Sequence, residues 1–318
     1  MINRRAFLPM ASAFLYSSAG PLHAQTPGRK YKIGLFNRGA PITDRSPYGS
    51  ALVRGLAKRG YELGKTVELE SRGANGKFEL LPQLFDELVA TKLDVVVTVG
   101  YPAALVAKTR GNIPIVSYST GDPVATGLVT SLARPGGHLT GISDMADELS
   151  AKRLQLLKEM VPGLKRIAIV WNTADDGMVH RFGISRSAAK SLGLDVQPLG
   201  VREPGDLDRG FGAMTQDKPD AVLVIAEALT ISNRRRIFDF GKSQHIPVLF
   251  DENGFLIRDG GLMYYGPDND ECFDRVAALV DRILRGAKPE ELPFEQPTTS
   301  LISLYESPSI SLNTMTAR

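Results

Sequence analysis

Cysteine is almost absent from this sequence, since Cys272 is the only one among 318 residues. A single cysteine excludes an intrachain disulfide, and it also excludes a paired CxxC motif. In an oxidising compartment a lone thiol is expected to be buried and unreactive. The stability of the chain must therefore come from burial of apolar side chains, and a hydrophobic content of 43% over this length permits it.

The sequence also lacks the short motifs that mark common catalytic and nucleotide-binding sites. It contains no GxGxxG, GxxxxGKS/T, HExxH or GxSxG pattern. Histidine is scarce, and the four residues are scattered at positions 23, 138, 180 and 245. We therefore expect no catalytic residues, no metal ion and no cofactor. Acidic residues in loops remain an alternative source of general acid–base chemistry.

The chain has little excess charge of either sign. Its formal net charge is +3, and two of the basic residues, Arg4 and Arg5, lie in the N-terminal segment. This balance offers no electrostatic basis for binding nucleic acid. After the N-terminus no apolar run is long enough to span a bilayer. The mature protein is therefore expected to be a monomer that neither spans a membrane nor binds nucleic acid.

The first 24 residues have the pattern of an export signal. Arg4 and Arg5 precede a mildly apolar run at 6–19, and small residues lead to a cleavage site near Ala24. The run is too short to cross a bilayer, so a removable signal peptide and a periplasmic mature protein are predicted. Residues 3–8 also resemble a twin-arginine signal, and the alternative is an ordinary secretory signal.

From residue 30 onward, short apolar runs alternate with amphipathic segments. Runs such as 95–97 and 221–225 are continuously apolar, which is typical of strands covered on both faces in parallel sheets. The alternation predicts βαβ units and an α/β fold. The predicted strands are 31–36, 67–71, 93–99, 113–118, 139–142, 166–171, 194–197, 220–225, 246–250 and 261–265. The predicted helices are 48–59, 80–93, 148–161, 185–192, 206–216, 231–244 and 270–284.

The strands and helices fall into two sets, joined by a glycine-rich connection at 134–147. Two open sheets of this kind predict two lobes with a cleft, and ligands bind beyond the carboxyl ends of such strands. The loop at 100–102 leads directly into a helix, so its free backbone N–H groups suit a carboxylate or a phosphate. The alternative for this loop is a well-capped helix start without a ligand.

Several long stretches resemble the ABC transporter substrate-binding proteins, whose better-understood members bind tryptophan and related aromatic amino acids. The resemblance covers about 30–298, and the stretches that carry it are 113–135, 136–141, 148–171, 234–237, 260–263, 265–268, 281–289 and 292–298. It implies a type I periplasmic binding protein with two Rossmann-like lobes. Lobe one is then 30–141 plus 264–290, and lobe two is 142–263 plus 291–318.

The resemblance also implies a function and a set of partners. The protein would capture a small molecule, such as an amino acid, by closure of its two lobes, and it would catalyse nothing. Its partners would be the membrane permease and the ATPase of an ABC importer. The alternative is an exported α/β enzyme that acts on a small polar substrate.

Candidate ligand residues follow from the same resemblance. Gly100, Tyr101 and Pro102 match the family's Gly-Thr-Pro loop, which faces the carboxylate of the ligand, with Tyr101 in place of the threonine. Asp251 falls where amino-acid-binding members place an acidic residue, which suits an α-ammonium group. Each candidate has an alternative role in a turn or a helix cap. The remaining candidates are Asn37, Ser119, Thr120, Asn172 and Glu227.

The C-terminal tail departs from the family pattern. After residue 298 the sequence is rich in serine and threonine and shows no helical period. One hypothesis is a frameshifted or diverged C-terminus, which would leave lobe two without the last strand and helix that the family usually has.

Overall fold

The computed structural model describes residues 29–118, 121–252, 257, 259–298 and 300–304. The predicted signal peptide, Ser119, Thr120 and the tail beyond 304 lie outside these residues. Within the described ranges, no helix combines the length and the apolar character that crossing a membrane requires.

A five-stranded parallel sheet forms the first half of the fold. Its strands lie in the order β2-β1-β3-β4-β5, so the chain starts near one edge and ends at the other. Helices connect β1 to β2, β2 to β3 and β3 to β4, whereas the described residues between β4 and β5 form turns. The elements are β1 (Tyr31–Asn37), α1 (Pro47–Ala57), β2 (Val67–Gly73), α2 (Leu81–Val89), β3 (Val95–Val99), α3 (Tyr101–Arg110), β4 (Ile115–Tyr118) and β5 (Leu139–Ile142).

A four-stranded parallel sheet forms the second half, in the order β7-β6-β8-β9. Its elements are α4 (Ala146–Met160), β6 (Arg166–Asn172), α5 (Asp176–Ser191), β7 (Asp195–Val201), α6 (Asp206–Gln216), β8 (Ala221–Val224), α7 (Ala228–Ser232), α8 (Arg234–Gln244) and β9 (Val248–Phe250). The chain then continues through β10 (Met263–Pro267), α9 (Asn269–Leu284) and β11 (Ser300–Leu304), and β10 and β11 pair antiparallel.

The predicted α/β class and its parallel sheets are confirmed. All ten predicted strands are present, with ends shifted by up to four residues. Two helices differ from the prediction. The helix predicted at 231–244 breaks at Asn233 into α7 and α8, and α5 begins at Asp176 rather than at 185 because the Asp175 side chain caps it.

Each sheet is covered on both faces by apolar side chains. On one face of the first sheet, Leu52 of α1 and Phe273 of α9 belong to one buried cluster, and Phe85 of α2 belongs to the cluster on the other face. The second sheet likewise lies between two clusters, with Leu157 of α4 on one side and Phe238 of α8 on the other. We call these two three-layer units the first and second lobes.

The segment that follows α9 lies on the first lobe. Leu292 and Phe294 are buried in its two clusters. Beside β5, the Thr140 hydroxyl donates to the Leu292 carbonyl at 2.9 Å, and the Glu295 amide donates to the Gly141 carbonyl at 2.8 Å. The sequence prediction had assigned 291–298 to lobe two. The hydrogen bonds to the edge strand β5 instead hold residues 292–295 on the first lobe.

The described part of the C-terminal tail forms a strand. Strand β11 pairs with β10 from Met263–Leu304 to Pro267–Ser300, which corrects the expectation that the last strand is missing. Strand β10 packs near α4 and β9, so β11 extends the second lobe. The stretch SLISL is short and β-branched only at Ile302, which explains why its composition did not indicate a strand.

The reactivity of the Cys272 thiol is a direct test of the packing of α9. The side chain is 0% exposed, and burial raises the pKa of its thiol to about 12. We expect the native protein to react with a thiol-labelling disulfide reagent at least about a hundredfold more slowly than the urea-unfolded chain, because the thiolate is the reactive form. Absorbance of the released thiolate measures both rates, and equal rates would contradict the packing of α9.

Candidate ligand-binding site

A cavity of about 350 Å³ lies between the two lobes. The loops after β1 and β3 line it from the first lobe, and the loops after β6, β8 and β9 line it from the second. Because the carboxyl ends of parallel strands point to one edge of a sheet, both sheets direct their loops at the same space. The cavity therefore lies where the sequence analysis placed the cleft.

The cavity brings together five of the nine predicted ligand residues: Asn37, Gly100, Tyr101, Pro102 and Glu227. Asn172 and Asp251 are not among its lining residues. The Asn172 side-chain oxygen accepts from the Ala174 amide at 2.9 Å, so this residue stabilises the turn after β6. Ser119 and Thr120 lie outside the described residues, and their predicted role stays a prediction.

Helix α3 begins at the wall of the cavity. Gly100 precedes it with a φ of 89°, a conformation that side-chain-bearing residues rarely adopt, and Pro102 occupies its first turn. The N–H groups of Tyr101 and Ala103 have no acceptor within the helix because they belong to its first turn. This end of the helix can therefore hold an anionic group.

The helix starts of the two lobes approach each other closely at this point. A β-carbon on Gly177, in the first turn of α5, would lie 3.3 Å from the β-carbon of Tyr101. The Tyr101 hydroxyl lies 3.4 Å from the Thr126 carbonyl, and burial together with the carboxylates of Asp176 and Asp175 raises its pKa. Tyr101 thus fills space at the boundary between the lobes.

Arg38 connects the two lobes across the cavity. Its Nη1 atom lies 3.0 Å from Glu227 Oε2 and 3.5 Å from Asp175 Oδ2, and all three side chains are almost fully buried. The guanidinium also lies over the Phe78 ring, 5.4 Å from its centre. A cation of the first lobe thus joins two carboxylates of the second lobe in a site with little water.

Both of these carboxylates also cap helices. The second oxygen of Asp175 accepts from the Met178 amide at the start of α5, and that of Glu227 accepts from the Thr230 amide at the start of α7. Burial and the neighbouring Glu227 raise the pKa of Asp175 to about 6, although Arg38 acts in the opposite direction. Glu227 therefore has no oxygen left without a partner.

Asp251 occupies a different position from the one predicted for it. Its Oδ1 accepts from the Ala226 amide at 2.7 Å, and its Oδ2 pairs with Arg181 Nη2 at 2.8 Å. Both oxygens are thus engaged inside the second lobe, so Asp251 is not placed to receive an ammonium group. The next residue, Glu252, lines the cavity instead.

The remaining wall is largely apolar. Tyr48 stacks on Phe273 with ring centres 5.0 Å apart, and it meets the Tyr118 ring edge-on at 5.9 Å. Met178 and Ile231 line the cavity from the second lobe. An aromatic or aliphatic ligand side chain would find complementary surface here.

Sequence reasoning missed four charged residues of this region: Arg38, Asp175, Arg181 and Glu252. Three of them lie in the loops after strands that were predicted to contact the ligand, each within three residues of a predicted ligand residue. Their charge, in loops already assigned to the site, could have identified them from the sequence. Arg181 lies inside α5, where its sequence context resembles that of any surface arginine.

Comparison with known proteins agrees with this geometry. The sequence matches the family described as ABC transporter substrate binding protein over residues 47–305. A relative described as a tyrosine-binding protein from Clostridioides difficile is 24% identical over 254 residues, which cover 80% of this chain and 72% of the relative.

Two solved structures share the fold. One is a domain from Streptococcus pneumoniae in complex with L-Trp, with a TM-score of 0.74 and 22% identity, covering 86% of this chain and 91% of that chain. The other is the ligand-free, open form of a substrate-binding protein with adhesive properties from Clostridium difficile, with a TM-score of 0.61 and 23% identity, covering 87% of this chain and 92% of that chain. With the family match over most of its length, this chain belongs to the ABC transporter substrate-binding protein family.

Proposed function

We propose that the protein is the extracytoplasmic solute-binding component of an ABC importer and that it captures an aromatic amino acid by closure of its two lobes. The observation that carries the proposal is the cavity between the lobes, where Arg38 of the first lobe meets Glu227 and Asp175 of the second. A ligand enclosed at this position contacts both lobes. It can therefore favour the closed state over the open one, which closure by a ligand requires.

The chemistry of the cavity suits an amino acid. The start of α3 at Gly100, Tyr101 and Pro102 offers backbone N–H groups to a carboxylate. The Tyr48 ring and Met178 offer apolar surface to a side chain. Relatives described as binding tyrosine and L-Trp support this ligand class. Asn37 would complete the polar part of the site, and Glu227 would border it through its ion pair with Arg38.

The arrangement of the lobes supports closure. The chain superposes better on the L-Trp complex, with a TM-score of 0.74, than on the ligand-free open structure, with 0.61, at nearly equal identity and coverage. The close approach of Gly177 to Tyr101 supports the same view. The membrane permease, which works with the ATPase of the importer, would then recognise the closed form.

L-tyrosine and L-tryptophan are the first ligands to test. We expect either one, at a hundredfold excess over its Kd, to raise the melting temperature by about 5 °C or more, because ligand binding to the native state stabilises it by about 2.7 kcal/mol. Calorimetry should show one site per chain with no continued heat release. No binding by any amino acid would contradict the proposal, and steady product formation would favour the alternative of an enzyme.

A matched pair of glycine variants tests the role of α3. Gly100→Ala forces a side chain into a left-handed backbone at the ligand end of the helix, and we expect it to weaken binding by about tenfold or more. Gly60→Ala introduces the same strain, at a φ of 84°, on the exposed surface after α1. The control should therefore lose stability without losing affinity, and equal affinity of the two variants would remove α3 from the site.

A further inference from the structure

An unusual cluster of charges lies beneath the cavity in the second lobe. Arg181 is surrounded by three carboxylates, with Nη2 2.8 Å from Asp251 and 3.3 Å from Glu252, and Nη1 4.0 Å from Asp144. The four residues are 1%, 3%, 8% and 1% exposed, respectively. Charges buried this deeply must be nearly balanced, since desolvation makes an uncompensated charge very costly.

Among the described residues, the cluster carries one more acid than its cations can balance. Arg153 of α4 is a second buried arginine close by, since both it and Glu252 act on the pKa of Tyr264, and its Nε donates to the Tyr265 carbonyl at 2.7 Å. Two arginines against Asp144, Asp251 and Glu252 leave an excess of one negative charge. A single proton held by one of the carboxylates would remove this excess.

The environment of Glu252 favours its protonated form. Burial and the neighbouring Asp144 and Asp251 raise the pKa of Glu252 well above its usual range, while Arg181 acts in the opposite direction. Glu252 also hydrogen-bonds to Asp144, and such a bond between two carboxyl groups requires a proton on one of them.

Other titratable groups near Glu252 are tyrosines from three different elements, and burial raises the pKa of each of them. They are Tyr48 of α1, Tyr118 of β4 and Tyr264 of β10, and each is uncharged at neutral pH. Among the described residues of this cluster, the charges are therefore those of the two arginines and the three carboxylates.

Of the three carboxylates, only Glu252 lines the cavity. Asp251 is engaged by the Ala226 amide and by Arg181. A cationic group that enters the cavity therefore meets Glu252, and it can replace the charge of the proton without changing the total. Arg38 Nε is buried beside the cavity and has no hydrogen-bond partner among the described residues, so it can donate to a group bound in the cavity.

We propose that Glu252 receives the ammonium group of the ligand, which displaces to solvent the proton shared between Glu252 and Asp144. This inference rests on the proposed function and names the residue that selects amines. No covalent bond forms or breaks except that O–H bond. One proton leaves for each ammonium that enters, and a carboxylate–ammonium pair replaces the carboxyl group.

Proton release can be measured by titration calorimetry in two buffers of different ionisation enthalpy, such as phosphate and Tris, at pH 7. The probes are L-tyrosine and 3-(4-hydroxyphenyl)propionate, which has the same skeleton without the amine. Both probes close the lobes, so protons taken up by other groups on closure, such as Asp175, cancel in the comparison. We expect the protein to release about one more proton when it binds L-tyrosine than when it binds the deaminated probe.

The variant Glu252→Gln keeps the size of the side chain and can still hydrogen-bond to Asp144. We expect the variant to lose the extra proton release and to bind L-tyrosine about tenfold to a hundredfold more weakly. Its affinity for the deaminated probe should equal that of the wild type. The control is Asp206→Asn, which removes a carboxylate that is equally buried at 8% exposure in the same lobe but does not line the cavity. It should behave as the wild type with both probes.

The outcomes separate this inference from the proposed function. Equal proton release on binding of the two probes would show that Glu252 does not contact the amine. An equal loss of affinity for both probes in Glu252→Gln would show the same. In either case the proposed capture of amino acids would still hold. If no amino acid binds the wild type, both ideas fail. The comparison of probes needs only the wild type, so it decides the question even if the variant does not fold.

Discussion

Replacing Arg38 with methionine is expected to open the cleft of the ligand-free protein and to destabilise the closed arrangement by about 3 to 5 kcal/mol. Methionine keeps most of the length of the side chain but removes its charge. Asp175 and Glu227 then face each other in a buried site without their shared cation. Since both carboxylates cap helices of the second lobe, they cannot turn away, and separation of the lobes is the way to hydrate them.

The opening should be visible in solution and in binding. Small-angle scattering of the ligand-free variant should give a larger radius of gyration than the wild type. The apparent affinity for L-tyrosine should fall by about a hundredfold, because the ligand must then drive the closure that Arg38 otherwise favours.

Two further variants make this prediction specific. Arg54→Met removes an arginine whose partner, Asp270, is exposed on the first lobe, and this change should leave the radius and the affinity nearly unaltered. Adding Glu227→Gln to Arg38→Met removes one of the opposed charges and should return the radius toward that of the wild type. An unchanged radius in Arg38→Met would show that the ion pair does not hold the lobes together.

The strands could be predicted from the sequence because burial on both faces of a sheet requires unbroken runs of apolar residues. Runs such as 95–97 and Ala221–Val224 are apolar throughout, as parallel strands covered on both faces require. Helix ends were less predictable, since α5 begins where Asp175 caps it and α7 begins where Glu227 does. In both cases the cap lies in a loop whose polar residues have several possible roles.

The position of the site followed from topology, but the identity of its residues did not. Strand-end loops had to meet at the cleft, whichever side chains they carry. Asp251 and Glu252 are adjacent and both contact Arg181, yet only Glu252 also lines the cavity. Their placement depends on this arginine, which lies 70 positions before Asp251 in the chain. Arg38 likewise depends on carboxylates of the other lobe, so no local pattern could assign its role.

Arg181→Met is expected to cause the largest loss of stability of any single change proposed for this protein. It leaves Asp144, Asp251 and Glu252 in one buried cluster without the guanidinium that lies between them. Removal of one partner from a buried ion pair costs about 3 to 5 kcal/mol, and here three carboxylates lose the same partner.

The loss should depend on pH in a defined direction. Arg181 lowers the pKa of Glu252, so without Arg181 the folded-state pKa of Glu252 rises further above its unfolded value, and the folded variant binds more protons than the unfolded chain. Its stability therefore falls as pH rises through that range, and the deficit relative to the wild type is larger at pH 8 than at pH 5. Urea denaturation at both pH values measures it.

The control lies on the same helix. Arg186 is an exposed arginine of α5 whose guanidinium lies 5.3 Å from the centre of the Phe182 ring, so Arg186→Met changes the same residue type without uncovering buried charge. It should cost little stability, equally at pH 5 and pH 8. A deficit of Arg181→Met that is the same at both pH values would mean that lost packing, and not the three carboxylates, determines its stability, and the charge balance assigned to the floor of the cavity would then be wrong.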